Sequence, residues 1–164
     1  KIIDVGAWWG PWSLWWHDKV QSVEIFEPNK DILPKLVNNV GKFQNCEIHH
    51  TALGDRHGSV SMQVADHSGT YHVTGQDGDI EMKTLDSFAF DSVDIIKIDA
   101  EGYELPVLQG AKETISRNRP WIQVEGNKSG ERYGRTKVDI KNFLSDLGMT
   151  RVTKKWPDQI WTFR

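Results

Sequence analysis

The feature that most constrains this chain is a regular alternation between short apolar runs and segments with helical spacing. Runs that are typical of strands occur at 1–5, 22–26, 46–53, 93–99 and 121–125. The segments between them place apolar residues three and four positions apart, as in a helix with one buried face. Strands that alternate with helices predict a mostly parallel sheet with helices on both of its faces.

Helices are predicted at 11–18, 32–40 and 103–117, with a last one beginning after Thr136. Asp139 follows Thr136 by three positions, which is the spacing of a capping box, and Gly148 ends the last apolar pattern. Residues 149–155 and 159–163 predict a closing hairpin. The prediction is therefore a mostly parallel seven-stranded sheet with a C-terminal antiparallel hairpin.

The stretch 54–90 interrupts this alternation. Val60, Met62 and Val64 alternate with polar residues, which predicts a half-exposed strand. The polar segment 66–79 predicts a mobile loop or an irregular hairpin, and its position makes it a candidate cover for an acceptor site. We expect residues 1–164 to form one domain, with 54–90 as an excursion from it.

Charge and apolar content exclude several classes of function. The formal net charge is −3 and the basic residues do not cluster, so a nucleic-acid substrate is not expected. No apolar run is long enough to span a membrane and no signal peptide is recognisable, which favours a cytoplasmic location. The strand pattern begins at once, and we expect further residues before Lys1 in the natural protein. The sequence does not indicate an oligomeric state.

A glycine-bearing turn and an acid are spaced as in nucleotide-binding folds. Gly6 and Gly10 lie between the first strand and the first helix, and Glu27 ends the next strand, 21 positions after Gly6. An acid about 20 residues beyond such a turn accepts hydrogen bonds from ribose hydroxyls. Ligands of open α/β sheets bind beyond the carboxyl ends of the strands. The pattern predicts an adenosine-type ligand.

The tryptophans are concentrated in one place. Five of the eight fall between Trp8 and Trp16. Such a segment is either a helix wedged into the core or an aromatic lip over a pocket.

Several short blocks of the chain resemble the FkbM-type methyltransferase family. In order they are Ile3-Asp4-Val5-Gly6-Ala7 with Gly10 and Ser13, Phe26-Glu27-Pro28-Asn29, Ala52-Leu53-Gly54-Asp55, Ile96-Lys97-Ile98-Asp99-Ala100-Glu101-Gly102 with Glu104, and then 107–111 and 120–125. The block at 97–102 is the most specific. The resemblance implies a Rossmann-like methyltransferase fold that binds S-adenosylmethionine and usually methylates a hydroxyl oxygen of a sugar or other small molecule.

The resemblance also implies roles for individual residues. Glu27 would hold the ribose of the cofactor. The other cofactor-binding residues that it implies are Asp4, Gly6 and Gly10 at the methionine end, Ala7, Trp8 and Ser13 in the same matched turn, and Pro28, Ala52 and Leu53 near the adenine. Trp8 is a departure, because the family commonly has Asn at this position; an indole offers one donor and no acceptor.

The candidates for catalysis lie where the fourth and fifth predicted strands end. Asp99 and Glu101 follow the fourth strand, and Lys97 shares a strand face with Asp99. Glu125 ends the neighbouring strand. These groups can act as general bases or form a buried ionic network. Asp99, Glu101 and Glu125 can also collect a divalent cation such as magnesium or calcium, although no metal is predicted.

Two other classes of function remain open at this level. One is a nicotinamide-dependent oxidoreductase, which uses the same ribose contact but usually has a three-glycine turn. The other is a non-catalytic module that binds a nucleotide or a glycan through its aromatic surface.

Overall fold

The structure is a computed structural model that describes residues 1–64, 71–126, 129–153 and 158–163. Within these ranges the chain forms eleven strands. They are β1 (Ile2–Val5), β2 (Val23–Phe26), β3 (Cys46–His49), β4 (Ala52–Leu53), β5 (Gly58–Val64), β6 (Tyr71–Gln76), β7 (Ile80–Lys83), β8 (Ile95–Ile98), β9 (Trp121–Glu125), β10 (Met149–Arg151) and β11 (Asp158–Phe163).

Five α-helices accompany the strands in the described ranges. They are α1 (Pro11–Trp16), α2 (Leu33–Val40), α3 (Glu104–Gln109), α4 (Lys112–Asn118) and α5 (Lys137–Asp146), with short 3-10 helices at Leu85–Phe88 and Ser129–Tyr133. No described helix combines the length and the apolar character needed to cross a membrane.

Seven strands form the main sheet, in the order β10-β11-β9-β8-β1-β2-β3. The five adjacent strands β9, β8, β1, β2 and β3 are parallel to one another, whereas β11 runs antiparallel to both β9 and β10. The predicted fold class is therefore confirmed: the sheet is mostly parallel, and its C-terminal hairpin supplies the antiparallel strand.

Alternation along each strand divides the core into two layers. Ile2 of β1 and Val23 of β2 belong to the layer that packs against Leu36 and Val40 of α2. Ile3 belongs to the opposite layer, which includes the inner residues of α3, α4 and α5. Successive residues of a strand point to opposite faces, so both layers can be filled from the same short strands.

Most of a second sheet, in the order β4-β7-β5-β6, lies within the segment 54–90 that was expected to leave the main alternation. The predicted strand at 46–53 is therefore wrong as one element, since β3 belongs to the main sheet and β4 to the second. The Thr51 hydroxyl donates to the Glu81 carbonyl oxygen at 2.9 Å, which directs the chain toward the second sheet. A mobile loop or irregular hairpin was expected within 66–79, but of the paired strands only β6 lies in that range; its partner β5 precedes it, and the two pair with a register shift between Ser61 and Met62. Residues 65–70, which belong to the segment predicted as a loop or hairpin, lie outside the described residues.

The predicted helix at 103–117 is also wrong as one element, because it divides into α3 and α4 at Gly110. The carbonyl oxygen of Gly110 accepts from the Asp86 backbone N–H at 2.9 Å. The Asp86 carboxylate then accepts from the N–H groups of Glu113 at 3.0 Å and Thr114 at 2.7 Å. A side chain from another segment thus satisfies the first turn of α4, which no periodicity within the helix could reveal.

The capping box predicted for α5 is confirmed. The Thr136 hydroxyl accepts from the Val138 N–H at 3.2 Å, and the Asp139 carboxylate accepts from the Thr136 N–H at 2.7 Å. These two contacts satisfy backbone donors that have no partner within the helix.

Candidate active site

A cleft of about 330 Å³ opens where β1, β2 and β8 end. Its walls come from both sheets, because Ala52, Leu53 and Val73 of the second sheet face Phe26 of the first. Its polar lining includes Glu27, Asn29, Asp99 and Glu101. A largely apolar cavity of a few hundred cubic ångströms with a few convergent polar groups is typical of a small-molecule site.

The loop after β1 forms the base of this cleft. Gly6 has φ +71°, and a Cβ at this position would overlap the backbone carbonyl oxygen of Asp99. Only glycine therefore allows the loop after β1 to pack against the end of β8.

Glu27 joins the two loops beside the cleft. Its Oε2 accepts from the Trp8 backbone N–H at 2.7 Å and its Oε1 from the Asn29 backbone N–H at 2.9 Å. Each carboxylate oxygen has a second lone pair, so both can still accept a ligand hydroxyl. Burial raises the pKa of Glu27 to about 6, against the lowering effect of the two N–H donors. The group is therefore mostly ionised at neutral pH.

Lys97 lies below the same loop and is almost fully buried. Its Nζ donates to the Gly6 carbonyl oxygen at 2.9 Å and lies 3.1 Å from Asp4 Oδ1 and 3.8 Å from Asp99 Oδ2. Burial alone would lower the pKa of Lys97, but Asp4, Asp99 and Glu27 together raise it. The ammonium stays charged and connects the glycine-bearing turn with the end of β8.

Asp4 is fully buried beneath the turn. Its Oδ2 accepts from the Ser13 hydroxyl at 2.6 Å, and its Oδ1 faces the Lys97 ammonium. The Oδ1 contact satisfies the distance for an ion pair but not the geometry of a hydrogen bond. We treat it as an ion pair, because a buried carboxylate needs a compensating charge.

The turn after β8 is held in an unusual backbone conformation. Glu101 and Gly102 both have positive φ, 50° and 101°. Glu104 Oε1 accepts from the backbone N–H groups of Ala100 at 3.1 Å and Gly102 at 2.9 Å. The buried carboxylate of Glu104 thus fixes the turn that presents Asp99 and Glu101.

Asp99, Glu101 and Glu125 form an acidic group around this turn. Burial raises the pKa of Glu101, and the charge of Asp99 raises it further. Burial, the charge of Asp99 and a hydrogen bond between the two carboxyl groups raise the pKa of Glu125 to about 8. Glu125 is therefore mostly protonated at neutral pH and can donate a hydrogen bond to Asp99.

The geometry does not gather these three acids into a metal-ligand set. In the part of the chain that the structure describes, the group of three ligand-type side chains whose atoms lie within 4.8 Å of one another is Glu24, Glu47 and His49. Two of its members are already engaged, since Glu24 contacts Lys1 Nζ and His49 Nε2, each at 2.9 Å.

The cofactor residues suggested by the sequence fall into two sets in the structure. One set lines the cleft: Gly6, Trp8, Glu27, Pro28, Ala52 and Leu53. The other set is buried behind it and supports the turn: Asp4, Ala7, Gly10 and Ser13. Of the catalytic candidates, Asp99 and Glu101 line the cleft, while Lys97 and Glu125 line an adjacent groove that also includes Asp99.

Sequence reasoning gave no role to several residues that line the cleft. Asn29 is buried there, and its side-chain Nδ2 has no hydrogen-bond partner among the described residues. Its position directly after Glu27-Pro28 was the sequence feature that could have assigned Asn29 to the cleft. Tyr103 and Thr51 also line the cleft. Tyr103 follows the turn after β8, and Thr51 directly precedes β4 of the second sheet. The local sequence pattern defined neither the turn nor the second sheet.

Trp8 occupies the position where the resemblance leads one to expect Asn. It has φ 54°, in the left-handed region. Asn tolerates this conformation better than most residues, which gives a backbone reason for the family's usual choice. The indole is 51% exposed and lines the cleft without closing it.

Comparison with solved structures identifies the fold. The chain aligns with the methyltransferase FkbM of Methylobacillus flagellatus with a TM-score of 0.69 and 18% identity, covering 99% of this chain and 43% of that one. It also aligns with a Streptococcus mutans protein solved in complex with S-adenosylhomocysteine, with a TM-score of 0.60, 10% identity and coverage of 98% and 85%. At these identities the likeness shows the fold alone.

Sequence comparison supplies a further relative and the family. The chain is 25% identical over 119 residues to the 2-O-methyltransferase NoeI of Sinorhizobium fredii, covering 57% of this chain and 49% of NoeI. The chain thus spans about half the length of NoeI and of the Methylobacillus protein. The family model for the methyltransferase FkbM domain matches residues 4–149. This chain therefore belongs to the methyltransferase FkbM family.

Proposed function

We propose that this chain binds S-adenosylmethionine in the cleft and supports methyl transfer to a hydroxyl oxygen of a sugar or other small molecule. The observation that carries the proposal is the position of Glu27. Its two oxygens are fixed by backbone N–H groups from the loops after β1 and β2, and it lines a cleft of suitable size. The methyl transfer is inferred from family membership, and the hydroxyl acceptor is supported by the similarity to NoeI, a 2-O-methyltransferase.

The donors and acceptors of the cleft fit an adenosine ligand. The carboxylate of Glu27 accepts hydrogen bonds, which suits the two hydroxyls of a ribose. The buried Asn29 Nδ2 has no partner among the described residues and offers a donor to a ligand oxygen or ring nitrogen. Apolar side chains from both sheets, including Phe26 and Leu53, provide an apolar surface against which a purine can pack. Burying an unpaired amide is costly, so a ligand acceptor at Asn29 would relieve that cost.

S-adenosylmethionine supplies a methyl group on a sulfonium, so that the new oxygen–carbon bond forms as the sulfur–carbon bond breaks and its electron pair returns to sulfur. The protein must orient the acceptor hydroxyl and take its proton. Orientation alone can account for much of the rate in such a reaction. The turn after β8, fixed by Glu104, is the rigid element that presents the acidic groups.

We assign Asp99 as the group that takes the proton of the acceptor hydroxyl. It lines the cleft and also the adjacent groove, so it lies where a ligand in one meets a ligand in the other. Glu125 lies beside Asp99, whose charge helps to raise the pKa of Glu125 to about 8. Glu101 lines the cleft beside Asp99, and Lys97 connects the loop after β1 with Asp99.

A non-catalytic binding module is the second candidate, and Trp8 favours it. An indole replaces the usual amide in the lining of the cleft, which removes an acceptor from that position. The remaining polar groups of the cleft favour the enzyme.

Ligand binding and methyl transfer can be tested separately. We expect S-adenosylhomocysteine to raise the melting temperature of the protein while NAD does not, because a ligand that binds only the folded state stabilises it. Transfer of a labelled methyl group to a panel of neutral glycosides and small alcohols would then establish the activity. Binding without transfer would support the module, and failure of S-adenosylhomocysteine to bind at millimolar concentration would overturn the proposal.

A further inference from the structure

We infer that a groove beside the cleft, formed by α1, β8, β9 and the start of β11, binds the acceptor as a neutral pyranose ring. The groove has a volume of about 370 Å³ and is lined by Pro11, Trp12, Trp15, Lys97, Ile98, Asp99, Gln123, Glu125 and Asp158. This inference rests on the proposed function, since it places the acceptor of that reaction.

The first observation is that α1 exposes an indole at this groove. Trp12 packs partly against the core beneath α1, but Trp15 is 67% exposed. The Lys19 ammonium lies 4.7 Å from the centre of the Trp15 ring. Large exposed apolar surfaces beside polar groups mark interaction sites.

The second observation is a row of oxygen-bearing side chains opposite the indoles. Asp158 pairs in register with Glu125 across β11 and β9, and the Glu125 carboxyl group contacts that of Asp99, which follows β8. Gln123 Nε2 lies 3.5 Å from Asp158 Oδ2 on the same side of the sheet. Three neighbouring strands therefore present carboxyl and amide oxygens at one level.

These two walls match the two surfaces of a pyranose. One side of such a ring presents C–H groups, which pack on the flat face of an indole, and its rim presents hydroxyls, which donate to carboxylates and amides. An anionic ring is disfavoured by the carboxylates. A cationic ring is also disfavoured, because the Lys97 ammonium lies 3.8 Å from Asp99 Oδ2 and would repel a second positive charge there.

The groove also brings its ligand to the proposed reaction centre. Asp99 lines both the groove and the cleft, so a hydroxyl held against Asp99 from the groove lies at the boundary between the two cavities. The Asp99 carboxylate would thus both contact the bound acceptor and take its proton.

The test uses ligand-observed saturation-transfer NMR, with S-adenosylhomocysteine present. The probes are methyl pyranosides of three kinds: neutral, a glucuronide and a glucosaminide with a free amine. We expect the neutral probes to give the strongest signal, and the Trp15→Ala variant to weaken their binding at least tenfold while leaving the affinity for S-adenosylhomocysteine unchanged.

Trp121→Ala is the matched control. Trp121 is 48% exposed and lies on β9 on the same face as Gln123, but it does not line the groove. Equal losses in both variants, stronger binding of either charged probe, or no binding of any neutral probe would overturn the inference. Because S-adenosylhomocysteine affinity is measured separately, loss of cofactor binding is distinguished from loss of sugar binding.

Discussion

The carboxylates at the two ends of the candidate site are held in opposite ways. Glu27, at the end of β2, is surrounded by backbone donors, since the N–H groups of Trp8 and Asn29 each occupy one of its oxygens. Asp99 and Glu125, at the ends of β8 and β9, face one another and Glu101. Burial raises the pKa of Glu27 only to about 6, whereas acid neighbours help to raise that of Glu125 to about 8.

This contrast indicates a division of labour. A carboxylate that is fixed by backbone donors stays ionised at neutral pH and is suited to accept ligand hydroxyls. A carboxyl group such as Glu125, whose pKa lies near neutral pH because of burial and acid neighbours, is suited to exchange a proton. The same residue type therefore acquires different chemistry from its neighbours, and each end can be tested without disturbing the other.

Replacing Asp99 by Asn should have the largest effect. We expect the single-turnover rate of methyl transfer to fall by roughly 10²- to 10⁴-fold, because a general base contributes about that much. Affinity for S-adenosylhomocysteine, measured by calorimetry, should change little. Asp91→Asn is the control, since Asp91 lies on the surface beside Arg117. Full activity in Asp99→Asn would remove Asp99 as the base.

The pH dependence of the same rate should follow the ionisation of Glu125. The pKa of Glu125 is raised to about 8, so its ionised fraction falls about tenfold for each pH unit below that value. An ionised Glu125 adds negative charge beside Asp99, which favours transfer of the acceptor proton, and we expect the rate to rise from pH 6 and to level off above about 8. Glu125→Gln removes the titrating group, and this rise should then be lost. The same rise in the variant would contradict the assignment to Glu125.

Replacing Glu27 by Gln should act on binding instead of turnover. The amide keeps one acceptor oxygen but presents a donor to a loop N–H, and we expect affinity for S-adenosylhomocysteine to fall about tenfold. The rate at saturating cofactor should stay within about threefold of the wild type, because only an interaction specific to the transition state changes it strongly. Glu47→Gln, on the exposed side of β3, is the control. Unchanged affinity in Glu27→Gln would refute the ribose assignment.

The smallest expected effect concerns stability at the cofactor end. Trp8→Asn should raise the free energy of unfolding by about 0.5–1 kcal/mol, because Asn tolerates positive φ better than Trp. Chemical denaturation measures this change. Trp15→Asn replaces an exposed tryptophan with negative φ in α1, and it should give no such gain. A loss of stability in Trp8→Asn would show that the contacts of the indole, which include Trp9 at 5.4 Å between ring centres, outweigh the backbone cost.

The main sheet was predictable because its signals are local. Each parallel strand is a short apolar run, and the capping box of α5 is written in Thr136 and Asp139. The contact between Glu27 and the loop after β1 also followed from spacing, since the ends of neighbouring parallel strands meet at one edge.

The second sheet and the division of α3 from α4 depend on contacts between distant segments. Thr51 leaves the main sheet by bonding to Glu81, and Asp86 caps α4 from 27 positions before Glu113. Neither contact has a periodicity that a single sequence displays. The same reason explains why Asn29 and Tyr103 were not assigned to the site: their places in the cleft depend on how loops from different elements meet.

The fit of Gly6 against Asp99 bears on how the cleft opens and closes. A Cβ at Gly6 would overlap the Asp99 carbonyl oxygen, so the loop after β1 and the end of β8 are in direct backbone contact, and we expect the base of the cleft to move little when a ligand binds. We then expect any closure over a bound nucleoside to come from the opposite wall, where β5 and β6 carry Met62 and Val73. We expect ligand binding to slow amide hydrogen exchange in that hairpin while leaving β1 and β8 almost unaffected.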